Sequence, residues 1–267
     1  MPDGKLIQQP STHLMGQKFS KVFNATFKNE NGKEEYLWTT AYGPAISRIL
    51  VSVISIHGDD KGLILPYCIS PIKAVIVPIY NINNKSKIIN YCKEINNELE
   101  DLGIKAKLDD REEYSPGWKF NQWELRGVPF RIEVGERELK KKSLTLFTRD
   151  TGKKEILKVK ALSKIKKYAE AFDERLRKKA DKWMSDKITN CKTKEEIMKA
   201  LSLGKIARVN FCSVEKEGEK CAEHVEKFIG AEVRGTLANK NEKPISNAKC
   251  AMCNKTAGEI VYIGRSY

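Results

Sequence analysis

The sequence predicts a mixed protein, α/β through its middle and α+β at either end. Three observations carry that prediction. From Ile72 onward, short apolar runs alternate with segments of helical periodicity, as in parallel βαβ units. Ala74-Val75-Ile76-Val77 is continuously apolar, the pattern of a strand covered on both faces. Near the end of the chain stand Cys212, Cys221, Cys250 and Cys253, the last two in a C-x-x-C spacing that lets both thiolates reach one tetrahedral Zn²⁺.

The elements follow in order. Residues 1–70 alternate strand-like and helical patterns. Within them Ile46, Ile49, Leu50, Val53 and Ile54 recur at the spacing of one buried helix face. Gly43-Pro44 is a natural entry, because proline is tolerated where an amide has no intrahelical partner. His57-Gly58-Asp59-Asp60 reads as a structural turn. Residues 71–185 form the expected three-layer α/β domain. There a helix from near Ser86 places Ile88, Cys92, Ile95, Leu99 and Leu102 on one face and stops at Gly103. Residues 104–108 read as a second strand. Ser115-Pro116 is an N-cap with proline in the first helical position, and Gly127 closes that helix. Val128, Phe130, Ile132 and Val134 alternate as a strand. Residues 143–148 and 155–159 flank an Asp150-Thr151-Gly152 turn, a hairpin signal. A lysine- and arginine-rich helix over 162–187 leads into residues 186–267, a small α+β domain in which Thr193-x-x-Glu196 is a capping box.

At 267 residues the chain carries a net charge of +14 and a pI near 9.3. Such a balance points to a polyanionic partner, since Lys and Arg that neutralise phosphates release counterions. Met1-Pro2-Asp3-Gly4 has neither the basic start nor the apolar run of a signal peptide. No uncharged apolar stretch approaches the roughly 20 residues of a membrane helix. Seven cysteines, an odd number, fit a reducing compartment. The reading is a cytoplasmic protein with no membrane partner.

Candidate chemistry concentrates in three places. Arg48 stands early in the apolar helix, near free amides and the positive dipole end, where its guanidinium suits a nucleotide phosphate. It is equally well read as a rim residue of a packed helix. Glu133, Arg137, Lys141 and Arg149 surround two strands of the α/β domain. A carboxylate beside arginines suits guanine, which offers both donors and acceptors on its edges; an ordinary solvated strand edge would carry the same charges. The late cysteines offer four thiolates, with His224 near enough in sequence to Cys221 to be an alternative fourth ligand. Four thiolates leave no open position, so such a site is structural. Cys68, Cys92 and Cys191 read as core or incidental residues.

A resemblance adds to this reading. Gly43 through Arg48 and the apolar helix after it resemble the third signature of class II aminoacyl-tRNA synthetases, and the run through HGDDKGLILPYCISP (57–71) is similar to the prolyl-tRNA synthetase form of it. KLIQQPSTHLMG (5–16) resembles that family's strand and loop for adenosine and proline, its usual Thr-Ser-His standing here as Ser11-Thr12-His13. GVPFRIEVGERELKKKSLTLFTRDTGKKE (127–155) is similar to its anticodon-binding domain. The four cysteines and Tyr267 resemble the archaeal and eukaryotic C-terminal extension.

The resemblance implies the C-terminal part of a class II antiparallel-sheet catalytic domain over 1–70, an anticodon-binding domain over 71–185 and a zinc-binding domain over 186–267. It implies ATP contacts from Gln8, Ser11 and Arg48, with Mg²⁺ bridging phosphates, and a proline pocket lined by His13. The tRNA(Pro) anticodon, with its two guanines, falls to Glu133, Arg137, Lys141 and Arg149, and structural Zn²⁺ to the cysteines. The expected activity is proline–tRNA ligation, in a family that is homodimeric at full length; the alternative is a non-catalytic anticodon-binding module. The first two class II signatures are absent from the sequence, so the chain is expected to be a C-terminal portion, inactive by itself. The apolar faces of Ile7, Val22, Phe27 and Leu37 are expected to lack cover.

Overall fold

The computed structural model describes residues 1–267. By contact density the chain divides into two units, Met1–Ser52 together with Ile188–Tyr267, and Val53–Lys187. No helix is long and apolar enough to cross a membrane.

In the first unit, β1 (Ser11–Gly16), α1 (Lys18–Val22), β2 (Thr26–Lys28), β3 (Glu34–Tyr36) and β4 (Thr39–Gly43) precede α2 (Ile46–His57). Strand β1 pairs antiparallel with β4, Ser11 opposite Gly43 and His13 opposite Ala41, while β2 and β3 form a separate hairpin. Two expectations change here. Pro44 is not the first helical residue; the chain enters α2 through Ala45 at φ +46, and Ala45 O accepts from the amides of Arg48 and Ile49. The apolar stripe of α2 is also not buried: Ile46, Ile49, Leu50 and Ile54 are all exposed. Val22, Phe27 and Leu37 are exposed as well. Periodicity reports an apolar face but not what covers it.

The second unit holds β5 (Ala74–Pro78), α3 (Lys85–Asp101), β6 (Ala106–Leu108), α4 (Pro116–Leu125), β7 (Phe130–Val134), α5 (Glu136–Lys140), β8 (Ser143–Thr148), β9 (Lys154–Lys158) and α6 (Lys164–Lys187). Its five-stranded sheet runs β6-β5-β7-β8-β9. The first three strands are parallel, and β8 and β9 are antiparallel additions. Ile76, Ile132, Leu144 and Leu146 pack with Ile88, Ile95 and Leu99 of α3 and with Ile165 and Phe172 of α6. On the opposite face Val75 and Val77 pack with Trp123 of α4. Those are the three layers. Ser115 caps α4, its Oγ accepting from the Trp118 amide at 3.3 Å. Gly127 ends the helix at φ +71, where a Cβ would lie 2.6 Å from Leu63 Cβ. The alternation read over Val128 to Val134 understates the burial, because Arg131 and Glu133 on the other face are buried too, neutralising one another.

The remainder of the first unit comprises β10 (Ile188–Cys191), α7 (Lys194–Ser202), β11 (Ile206–Phe211), α8 (Glu219–His224), β12 (Glu232–Gly235) and β13 (Glu259–Gly264). Strand order is β10-β11-β13-β12, with only β10 and β11 parallel. Thr193 Oγ1 accepts from the Glu196 amide as a cap, but Glu196 Oε2 takes the Lys192 amide at 2.6 Å, so only half of the capping box forms. This sheet is joined to the start of the chain by backbone pairing: Leu6 N donates to Arg265 O at 2.8 Å, and Tyr267 N to Leu6 O at 3.0 Å.

Candidate functional site

Three groups of side chains meet the chemistry expected of them to different degrees. On β1 and α2, Arg48 Nη1 donates to Gln8 Oε1 at 3.4 Å, and Ser11 Oγ lies 3.0 Å from His13 Nε2. Gln9 Nε2 donates to Ser52 Oγ at 2.8 Å, and Ser52 Oγ to Arg48 O, tying the segment before β1 to the helix. Gly43 packs closely here, since a Cβ would meet Ser11 Oγ at 3.1 Å and the hydroxyl would have to move aside. Gln8 and His13 are exposed, and Ser11 and Arg48 are partly so. The four expected residues therefore form two hydrogen-bonded pairs open to solvent, and no carboxylate is recorded bonding Arg48.

The four late cysteines converge, their sulfurs all within 4.8 Å of one another. A tetrahedron of sulfurs about 2.3 Å from Zn²⁺ has edges of about 3.8 Å, and Cys212 Sγ to Cys221 Sγ is 3.6 Å. The eight-residue spacing between these two is closed by the fold. Cys212 follows β11, and the chain returns through a tight turn at Gly218, where a Cβ would meet Ser213 O at 1.9 Å, to place Cys221 on α8. Cys250 and Cys253 sit on a knuckle in which Ala251 N donates to Asn210 O and Cys250 N to Lys255 O. The His224 ring lies tilted against Phe228, centroids 4.6 Å apart, and is not among the converging groups. Burial pushes the Cys221 thiol up. At Cys253 burial acts in the same direction, but the Lys255 amide and the neighbouring thiols outweigh it and hold the group at about 7. The donor set fits a soft cation that stabilises thiolates.

The expected base readers separate into two kinds. Arg137 and Lys141, one turn apart at α5, line the same surface depression, and the Arg137 side chain is 66% exposed. Its guanidinium donates to Glu138 Oε1, and Glu138 is fixed by the Gly135 amide and Thr145 Oγ1. Glu133, opposite Thr145 in the sheet, is buried; it accepts from Arg131 at 2.9 Å and from the half-exposed Lys154 at 2.7 Å. Arg131 is clamped between Phe120 and Phe147, its carbon 4.1 and 4.0 Å from the two ring centroids. Arg149 does not join them. Four residues beyond Thr145, roughly 13 Å along an extended chain, its buried guanidinium binds Asp59, Glu124 O and Gly62 O. The sequence reading missed Arg131, Glu138 and Lys154; for Arg131 the available signal was a charge interleaved in the otherwise apolar strand β7, and Glu138 on α5 and Lys154 at the start of β9 carried no such signal.

Residues 73–168 match the family model of an anticodon binding domain, and residues 194–267 match that of the prolyl-tRNA synthetase C-terminal domain. The whole chain aligns over 270 residues with the proline–tRNA ligase of Thermofilum pendens at 42% identity. Over its whole length the chain is similar to the C-terminal part of prolyl-tRNA synthetases. It spans about half the length of the curated relatives it matches, 55% of the Thermofilum pendens protein and 55% of the Pyrococcus abyssi proline–tRNA ligase, to which it is 35% identical. The prolyl-tRNA synthetase of Cryptosporidium parvum, solved with halofuginone and AMPPNP, superposes with a TM-score of 0.90 at 33% identity, covering 99% of this chain and 54% of that one. The same enzyme with L-proline and AMP gives 0.87 at 34% identity, covering 99% and 56%.

Proposed function

We propose that this chain is the tRNA-binding, C-terminal part of a proline–tRNA ligase, which activates proline with ATP and transfers it to tRNA(Pro) in the cytoplasm. The observation that carries the reading is co-linear similarity over the whole chain to proline–tRNA ligases at up to 42% identity. In this reading residues 1–70 complete a class II catalytic domain, 71–185 read the anticodon and 186–267 hold a structural Zn²⁺; the full-length protein is a homodimer. Gln8 and Ser11 contact adenosine, His13 lines the proline pocket and Arg48 holds the distal phosphates of ATP, where Mg²⁺ also binds. Attack of the proline carboxylate on the α-phosphate needs positioning and cations on the developing charge rather than proton transfer. The four cysteines supply a closed tetrahedral set, so the metal supports folding and takes no part in the reaction. Glu133, Arg137 and Lys141 face the anticodon. Arg149, although it belongs to the same expected set, acts by holding the platform through Asp59.

The test is binding of tRNA(Pro) and of a tRNA(Pro) whose two anticodon guanines are changed, across a salt series. Phosphate contacts make both affinities fall steeply with salt, while base contacts keep the difference between them. Equal affinities at moderate salt would reject the anticodon assignment. A non-catalytic anticodon-binding module is the second reading, favoured for the chain in isolation by the exposed apolar faces of α2 and the β2–β3 hairpin.

A further inference from the structure

The loop after β6 and the start of α4 carry an aromatic pair that no core explains. Tyr114 and Trp118 stack at 3.7 Å between ring centroids, 9° from parallel, and are 36% and 40% exposed. Neither belongs to a hydrophobic cluster of the protein. Both rings are pinned from one side. Arg111 lies 4.9 Å from the Tyr114 centroid and 5.4 Å from that of Trp118. Its guanidinium is locked by a two-pronged bond to Asp109, at 2.7 and 2.8 Å, and a further one to Gln122. Asp109 is 2% exposed and also accepts from the Trp123 indole. A flat surface fixed this firmly loses little conformational freedom on binding a planar ligand.

Its place in the fold is equally informative. Central strand β5 has β6 on one side and β7 on the other, with α3 and α4 on opposite faces. The crevice at the carboxyl ends of such strands is where open α/β sheets bind ligands, and the loop bearing Arg111 and Tyr114 leaves from there.

We propose that the Tyr114–Trp118 face is a stacking site for one unpaired base of an RNA strand. The proposal rests on the tRNA-binding reading and adds a contact separate from the Glu133 and Arg137 face. Local charge favours a base over a phosphate. Asp110 and Glu113 are exposed in the loop that leads to Tyr114 and Trp118; carboxylates there repel a phosphodiester but can accept hydrogen bonds from the amino and imino groups of a base edge.

The experiment measures anisotropy of a labelled tRNA(Pro) anticodon stem-loop with the parent chain, Trp118→Ala, Trp118→Phe and Tyr114→Ala, with thermal melting as a folding control. A stacked base contributes about 1–3 kcal/mol, so Trp118→Ala weakens binding about tenfold, and Trp118→Phe much less. A series of stem-loops, each lacking one loop base, then identifies the partner: for one of them Trp118→Ala causes no further loss. Parent-like affinity of folded Trp118→Ala and Tyr114→Ala would overturn the stacking site while leaving tRNA binding intact. Failure of the parent to bind the stem-loop would remove both readings. Quenching of Trp118 by an arginine-rich peptide but not by RNA would assign the face to a different partner and overturn the proposal.

Discussion

Arg149 and Asp59, 90 residues apart, form a two-pronged ion pair, Nη1 to Oδ2 at 2.8 Å and Nη2 to Oδ1 at 2.5 Å. The pair is asymmetric in burial: the Arg149 side chain is 2% exposed and that of Asp59 43%. Arg149 also donates to Glu124 O and Gly62 O, so one guanidinium ties the turn after α2 to the end of α4. Removing either partner is not equivalent, because Asp59 retains water whereas Arg149 would be left as a buried charge.

Asp59→Ala is therefore expected to destabilise the α/β domain by about 2–4 kcal/mol, and Arg149→Ala by less, in urea unfolding followed by the fluorescence of Trp123. The Arg149 hydrogen bonds hold the Asp59 carboxyl at about 2, below its ordinary 3.8. A depressed acid contributes stability that is fully present above about pH 4 and is lost as pH falls through about 2. The half-exposed carboxylate is screened by solvent, so the effect is modest. A parent and an Asp59→Asn variant with identical acid profiles would show that the pair adds nothing measurable.

His57 supplies a second pH-dependent contribution. It is buried at the end of α2, and its Nδ1 has no hydrogen-bond partner. Burial, with Lys179 nearby, lowers its pKa below the ordinary 6.5. Since the unfolded chain takes up the proton more readily, stability falls as pH drops below about 6.5. His57→Leu is expected to flatten the profile below about pH 6.5, read as denaturation midpoints; an unchanged slope would remove His57 as its source.

Zinc content tests the cysteine cluster. One Zn²⁺ per chain is expected by elemental analysis. Cys250→Ser or Cys253→Ser should abolish it and loosen the sheet β10-β11-β13-β12, because binding a structural metal contributes folding free energy directly. Hydrogen exchange should rise in β11 and β13 and stay low in β5 and β7. Well under one metal per chain in freshly purified protein would argue for four reduced structural thiols instead.

The anticodon face makes separable predictions for its two exposed cations. Arg137→Ala should reduce the preference for the guanine anticodon by about 1–3 kcal/mol, the range of a well-placed base contact. Lys141→Ala should weaken both tRNAs equally and lower the salt slope by about one. Reversed behaviour of the two variants would exchange their roles.

Much of this was legible in the sequence because local and tertiary demands agree there. The β5 run, the α3 face with its Gly103 stop and the Ser115-Pro116 cap all form where the patterns place them. What was not legible depended on what lies opposite. The α2 stripe gave no sign that Ile46 and Leu50 would be exposed. Arg149 looked like a base reader because it borders the same two strands as Glu133 in sequence, whereas antiparallel pairing carries it past the far end of β8 and into the grip of Asp59. The cysteines show the converse. The eight residues between Cys212 and Cys221 exceed the two to four of a common zinc knuckle, and the tight turn at Gly218 closes that distance.

The catalytic reading yields the last prediction. The chain alone is expected to give no proline-dependent ATP–pyrophosphate exchange, although it carries Gln8, Ser11, His13 and Arg48. Adenylate formation places negative charge on the α-phosphate and on the leaving pyrophosphate, and each needs a cation already in position. Arg48 is assigned to the distal phosphates; the arginine for the α-phosphate is implied by the resemblance to lie in the half of the relatives that this chain does not span. Losing a charged transition-state contact of this kind costs on the order of 3 kcal/mol, a hundredfold or more in rate. Fusing the missing half of the Thermofilum pendens ligase ahead of Met1 should restore exchange and also cover the exposed residues of α2. In that fusion Arg48→Ala should lower exchange by at least about a hundredfold, and Arg48→Lys by less, because a point charge keeps the electrostatic part while losing the planar fork. Robust exchange by the 267-residue chain would show that adenylate formation does not need the missing half; an Arg48→Ala fusion as active as its parent would remove Arg48 from the phosphate site.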